Sequence, residues 1–515
     1  MRLMKLFSRS EPAAAATTEV VERKRPSLPL RRMMARLMES AFSAANTDRL
    51  TASWPASPVP ADWIITKHQR ILVARSRQQC TENPYARQFL RMCRQNIVGG
   101  GVKFQAQALT SSGKLDKALN DALEEAWKEW GKPTNCDVAG KRSWLKTELS
   151  AVQAAAKDGE FMFLVVRGED AGPWGFALQY LDPQRCPVDY DVDRYTPSTF
   201  IRHGIEFNRR GRALFYHLST TDEGESDYAY GGRHFIRIPA ADIIHGYRDE
   251  LGGQKRGLPW IATGLAKLRH IGGVEDASVV NARVGASKMG FIEWENGHGP
   301  EAEDELDLEI DADPGTFAVL PEGAKLNKWD PQFPSGEAAP FLKHVLRSTA
   351  AGWGVLYNNL ANDLEGVNFS SIRQGTLDER ERWKEDQDWL VEDLHQKVYA
   401  AWLPIALLSG RVKVRGQAVL DVARCSRVDW MPRRWTWIDP GADVKAAVDS
   451  KNNLLKSPGA IIREGGEDPS AVYREIAQDI EEMKAAGIPD EYIKLAFGQK
   501  LNPSPQKEKQ EPAAA

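Results

Sequence analysis

Apolar residues recur every three or four positions up to about residue 157 and take strand spacing from residue 161, a change of period that constrains the fold more than any other feature. Between residues 64 and 98, Ile71, Leu72, Phe89, Leu90 and Met92 supply the apolar positions of a helical pattern, and Gly99 to Gly101 end it. Asn83 is placed to cap a second helix, with Pro84 in its first turn. Residues 115–130 are amphipathic through Leu119, Leu123, Ala126, Trp127 and Trp130, and 144–157 reads as another helix. FMFLVV (161–166), FALQYL (176–181), FIRHGIEF (200–207), RALFYHLS (212–219) and HFIRIP (234–239) then predict a largely antiparallel β region. The chain is therefore expected to be α+β.

Helical spacing returns later. Residues 259–291 form the longest helical candidate of the first half, with Pro259 near its start and Gly272, Gly273, Gly285 and Gly290 as weak points. Residues 301–313 are acidic and alternating, and GTFAVLPEGAKLNKW (315–329) predicts a hairpin around Pro321 to Gly323. A helical block over 341–361 is interrupted by NDLEGVNFSSIRQG (362–375). It resumes over 377–403 with Leu390, Leu394, Val398 and Ala401 in register and a capping box of Thr376 and Glu379. Residues 461–486 give the last helices, and NPSPQKEKQEPAAA is expected to be disordered. At the other end, nine Lys and Arg against three acids within residues 1–36 mark a basic arm extending to about residue 60.

A length of 515 residues implies two to four units, and 42% hydrophobic with 27% charged residues is the composition of a globular chain. No apolar run approaches the ~18 residues of a membrane helix, and MRLMKLFSRSEP lacks the apolar stretch of a secretory signal. Cys80, Cys93, Cys136, Cys186 and Cys425 are odd in number and scattered, which fits reduced thiols. A formal charge of −3 excludes a general nucleic-acid binder, since such binding depends on Lys and Arg neutralising phosphates.

Among the motifs, WMPRRWTWIDP (430–440) fits no ordinary amphipathic element, having three tryptophans, two arginines and two prolines in so short a span. Four more occur in fixed order before it: RSRQQCTENPYARQFLRMCRQNIVGGGVKFQ (75–105), DGEFMFLVV (158–166), HGYRDELGGQKRGLPW (245–260) and NFSSIRQGTLDERERW (368–383). A helical stretch and a Gly-rich turn, GADVKAAVDSKNNLLKSPGAIIREGG, follow it. In these segments, from about Trp54 to Ile488, the chain resembles the portal proteins of lambda-like phages, the head–tail connectors. Cys80 and Thr81 replace a more ordinary polar pair, and Phe369 stands where Tyr is common.

That resemblance implies a portal fold: a flexible basic arm (1–60), a mixed α/β wing (61–258), a stem with a small clip (259–340), helices that carry a tunnel loop at 362–375 and return to the wing (341–440), a C-terminal helical crown (441–500) and a disordered tail (501–515). It further implies a dodecameric ring at one capsid vertex, through which double-stranded DNA is packaged and ejected. The implied partners are the terminase large subunit, the major capsid protein or scaffold, and head-completion adaptors. Assembly would take place in the host cytoplasm and the product would reside in the virion, with no membrane, cofactor, metal or catalytic residue. Near-neutral charge suits either a chain that never touches DNA or a conduit in which DNA slides, because a tunnel that gripped phosphates would oppose sliding. In the tunnel loop, Val367, Asn368, Phe369 and Arg373 are the DNA-facing candidates: Val367 and Phe369 as an apolar rim, Arg373 as a phosphate contact or intersubunit pair. The alternative is an ordinary helix connection buried at a subunit interface.

Enzyme signatures are sparse. The sequence has no GxxxxGK[ST] loop, HExxH, paired CxxC or GxSxG, and its nine histidines are dispersed. Alternation places Glu305, Asp307, Glu309, Asp311 and Asp313 on one face of an extended strand. Such carboxylates can hold a divalent cation for a metal-dependent nuclease or hydrolase, or form a solvated acidic edge. A third reading is a capsid adaptor that forms no ring. His245 with Gln254, Lys255, Arg256 and Gly257 reads either as an active-site cluster or as a loop ordered by charge-assisted hydrogen bonds. Trp430, Trp435 and Trp437 can stack on bases or bury against a neighbouring element.

Overall fold

A computed structural model of the chain describes residues 49, 52–219, 235–286, 290–294, 324–328, 338–414, 421–435 and 440–496. Its first helices are α1 (Ala61–Glu82) and α2 (Pro84–Cys93), divided where Asn83 and Pro84 predict. Pro84 has no N–H to lose in a first turn, and the Asn83 side chain accepts from the backbone N–H of Tyr85 at 2.9 Å and of Ala86 at 3.3 Å. A π-helical turn, Arg94–Val98, ends at Gly99, whose φ of 58° favours glycine. The chain divides after Pro60, and every element named here belongs to the second unit, Ala61–Ala515.

β1 (Lys103–Ala106) is followed by α3 (Lys117–Trp130), capped by Asp116, and α4 (Trp144–Asp158), capped by Ser143. The strand period then takes over. β2 (Glu160–Arg167) pairs antiparallel with β3 (Phe176–Leu181). β4 (Val192–Thr196), β5 (Thr199–Arg202), β6 (Ile205–Asn208), β7 (Ala213–Ser219) and β8 (Phe235–Pro239) form an antiparallel meander in chain order. β9 (Ile243–Tyr247) returns to the free edge of β2, giving the order β3-β2-β9. FIRHGIEF is two strands, because His203 (φ 53°) and Gly204 (φ 77°) make a tight left-handed turn in its middle. FMFLVV is continuously apolar because both faces of β2 are covered: Phe161, Phe163 and Val165 join the main core, while Met162 and Leu164 join a second one under the meander.

α5 (Leu265–Ala286) is shorter than the helix expected over 259–291. A 3-10 turn, Ala262–Gly264, precedes it, and Gly290 and Phe291 belong instead to β10 (Gly290–Trp294), antiparallel to β11 (Ala324–Lys328). The strand after the expected Pro321 to Gly323 turn thus takes β10 as its partner, and the other arm of that hairpin lies outside the described residues. The helical block near 341–361 is two helices, α6 (Ala338–Trp353) and α7 (Tyr357–Ala361), broken where Gly354 has φ 64°. α8 (Phe369–Leu390), a π turn (Val391–Gln396) and α9 (Lys397–Leu408) run on from there, burying Leu390, Leu394 and Val398 completely. β12 (Val428–Met431) returns to β1 with Trp430 opposite Phe104, joining the chain across more than 300 residues of sequence. α10 (Pro440–Asn452), α11 (Pro458–Glu464), α12 (Pro469–Ala485) and α13 (Asp490–Ala496) complete the described chain. All five cysteines are buried free thiols, and no helix among the described residues is long and apolar enough to cross a membrane. Residues 1–48, the acidic stretch 301–313 and the tail 501–515 lie outside the described residues.

Candidate functional site

His245 and the Gly-rich loop that follows it meet a residue the sequence reading passed over, Glu160 at the start of β2. Arg256, fully buried, donates from Nε to both Glu160 oxygens at 3.0 and 2.9 Å and from Nη2 to Oε1 at 2.6 Å. Its remaining donors reach the carbonyls of Cys186 (2.7 Å), His203 (2.9 Å) and Pro183 (2.9 Å), tying the meander to β2. Gln69 and the Gly257 N–H add donors to the carboxylate at 3.2 and 3.0 Å. Burial works against the Glu160 charge, yet Arg256 and His245 hold its pKa down to about 2. Burial also pushes the His245 pKa below its ordinary value, outweighing Glu160. The carboxylate can only accept, so the neutral imidazole donates from Nε2 to Glu160 at 3.0 Å and accepts at Nδ1 from the Tyr216 hydroxyl at 3.1 Å.

This arrangement is saturated and sealed. Glu160 accepts from four groups, both His245 nitrogens are engaged, and neither residue has solvent access to speak of. A proton-transfer site needs a free lone pair facing substrate, so the geometry is that of an internal joint between the two sheets. Gln254 closes the loop, accepting from the N–H groups of Glu250 and Leu251 and donating to the carbonyls of Arg248 and Arg256. Lys255 pairs with Asp62 at 2.7 Å in the first turn of α1. Glycine is obligatory in the same joint: a Cβ on Gly257 would occupy the Gly159 carbonyl. Among the described residues, no group of three or more His, Cys, Asp or Glu is placed to hold a metal.

The Trp430 segment is packing. Trp430 lies against Phe104 (5.2 Å between ring centres), Trp127 (5.7 Å) and His395 (5.0 Å), inside an aromatic cluster that includes Trp130, Trp144, Tyr399 and Trp402. Trp435 is half-buried, with its indole N–H on Asn96 Oδ1 at 2.9 Å and its ring under Arg380. Trp437 lies outside the described residues.

The segment expected as a loop over 362–375 is irregular only as far as Asn368. Asn362 ends α7 in the left-handed region (φ 52°), and Asp363 then accepts from Lys343 (2.7 Å), Tyr357 (2.8 Å) and the Glu365 N–H (3.0 Å). Those donors, Lys343 foremost, hold the Asp363 carboxyl down to about 2. Asn368 caps α8, its side chain accepting from the Ser371 N–H at 2.8 Å, so Phe369 opens that helix and Arg373 stands in its second turn. The capping box predicted at Thr376 and Glu379 is therefore corrected. Because the Asn368 cap comes eight residues earlier, Thr376 is interior and donates to the Ile372 carbonyl at 2.7 Å, and Glu379 turns inward to Asn359 (2.6 Å) and Trp383 (3.1 Å). Val367 is half-buried and Asn368 exposed; Arg373 faces Asp443 of α10 at 3.9 Å.

Residues 47–387 match the model of the phage portal protein, lambda family. The probable portal protein of Halomonas phage phiHAP-1 is 32% identical over 464 residues, covering 88% of each chain. Portal protein B of Escherichia phage lambda is 21% identical over 482 residues, covering 86% of this chain and 89% of that protein. Among solved structures, a chain from the neck of an empty gene transfer agent particle is 13% identical with a TM-score of 0.43, covering 81% of this chain and 98% of the other.

Proposed function

The chain belongs to the lambda family of phage portal proteins, and we propose that twelve copies close into a ring at one capsid vertex, through which double-stranded DNA is packaged and later ejected. Family membership over most of the chain is the observation that carries this reading, and the five ordered segments support it. A ring requires heterologous contacts that close by rotation, so each copy presents two different complementary surfaces. The terminase large subunit docks on the assembled ring, the major capsid protein or scaffold surrounds it, and head-completion proteins follow after packaging. Residues 61–258 serve as the wing, 259–340 as stem and clip, and 441–500 as the crown. Electron microscopy of the purified protein is expected to show closed rings with a central hole; a stable monomer or dimer under all assembly conditions overturns the reading.

Within that ring, residues 362–375 line the tunnel constriction, now as a short irregular stretch leading into the first turns of α8. Val367, Asn368 and Phe369 present the rim at the helix start, and Arg373 one turn later contacts phosphate or makes an intersubunit pair. Val367→Ala together with Phe369→Ala is expected to leave ring assembly and capsid incorporation intact while altering DNA packaging or retention. Rings that fail to form in that variant make these residues interface core, and the tunnel assignment wrong.

A further inference from the structure

Many arginines of this chain sit beside carboxylates, as Arg77 does with Asp158 and Asp182, Arg237 with Glu206 and Arg424 with Asp116. A group at the end of α2 does not. Arg91, Arg94 and Arg433 line one open cavity of about 550 Å³ with Gln95, Gly99, Gly100 and Leu149, and its described lining contains no carboxylate. Among the described residues none of the three forms an ion pair: Arg91 reaches Gln88 Oε1 at 3.4 Å, and Arg433 donates to the Gln95 carbonyl.

The cavity is held in shape by two of the ordered segments, 75–105 and 430–440, which also meet where Phe104 pairs with Trp430 and where Trp435 donates to Asn96. A Cβ on Gly99 would stand 2.5 Å from Arg433 Cδ, so glycine is what lets the Arg433 side chain cross into the cavity. Gln387, buried, fixes the Arg433 carbonyl at 3.0 Å and the Asn96 carbonyl at 2.9 Å. Gly100 has nothing within 4 Å of its Cβ position, which leaves the rim open. Arg87 is exposed one turn before Arg91, so Arg87, Arg91 and Arg94 follow one helix face over ~10 Å. Guanidinium forks match phosphate oxygens in pairs, and an arginine group free of carboxylates is available to do so.

We propose that this arginine cavity is a phosphate site that holds the sugar–phosphate backbone of double-stranded DNA without regard to base sequence. It rests on the DNA-handling reading above and deepens it, giving a chain of formal charge −3 one local surface for phosphate, apart from residues 362–375.

The test is binding of a short mixed-sequence duplex to the full-length protein by fluorescence anisotropy across a salt series, comparing wild type with Arg91→Ala/Arg94→Ala. Native mass spectrometry reports the oligomer in parallel, and a thermal midpoint confirms folding, which two exposed positions outside the core leave intact. The expected result is an unchanged oligomer and a log K against log salt slope shallower by roughly 2, at about 0.9 per lost phosphate contact. Inorganic phosphate at matched ionic strength is expected to displace the duplex no better than chloride does; specific displacement makes free phosphate the ligand and overturns the assignment. Wild-type affinity and slope in the variant overturn it as well. A variant that binds DNA normally but no longer oligomerises gives the cavity to carboxylates of a second copy and also overturns it. Rings with no arginine effect remove this site and leave the portal reading standing, whereas an arginine-dependent slope without rings does the reverse.

Discussion

Replacing Glu160 with glutamine is expected to destabilise the fold by about 3–5 kcal/mol, because the change leaves Arg256 buried without its counter-charge. Arg256 is completely enclosed and its other donors are already committed to three carbonyls, so nothing nearby can replace the carboxylate. Urea titration of the full-length protein checks this as a lower midpoint. Acid behaviour gives a second readout. The folded pKa of Glu160, about 2, lies below its ordinary 4.5, so the folded state resists a proton that the unfolded chain accepts. The stability from this group is complete above about 4.5 and is lost as pH falls through about 2. His245, with its pKa lowered mainly by burial, acts in the same direction from its ordinary 6.5 downwards. Glu160→Gln should flatten the acid limb between about 4.5 and 2, while the limb that His245 contributes persists and grows, because the Glu160 charge that opposes burial there is gone. An unchanged midpoint together with an unchanged pH profile would mean that the joint carries no net stability.

How legible this joint was depends on distance in sequence. Local signals suffice where the chemistry is local: Asn83 followed by Pro84 marks the α1–α2 break, and the apolar run after Glu160 marks β2. Glu160 itself is an acidic residue before a strand, and only its partner, 96 residues on, shows it to be buried. β1 and β12 are not legible for a similar reason, since four-residue strands carry little period and their pairing joins residues 103–106 to 428–431. The cap of α8 is predicted at Thr376, whereas Asn368, read as part of a loop, is the residue that caps it. The residues after Asn368 fit a helix, which leaves Thr376 to bond the carbonyl four residues back. Which side chains face a tunnel is set by the arrangement of several copies, and no local pattern encodes it.

The tryptophans of 430–440 bring both readings of that motif to a measurement. Trp430→Ala should cost about 3–5 kcal/mol, the range for removing a large aromatic from a packed core. Its ring is 9% exposed and touches Phe104, Trp127 and His395, so truncation opens a cavity at the junction of β1, α3 and the π turn before α9. Among the described residues the indole N–H of Trp430 has no hydrogen-bond partner, so packing carries its contribution there. Trp430→Phe should therefore recover a large part of the loss, as it would not if a polar contact mattered. Trp435→Ala, half-buried with one hydrogen bond to Asn96, should cost less, on the order of 1 kcal/mol. Urea midpoints for the three variants give the ranking, and anisotropy with a single-stranded oligonucleotide gives the alternative its chance. Bases stacking on Trp430 would need the ring to leave the cluster. A Trp430→Ala protein that keeps its midpoint but loses oligonucleotide binding would therefore make the segment a nucleic-acid surface, and the observed aromatic packing incidental to it.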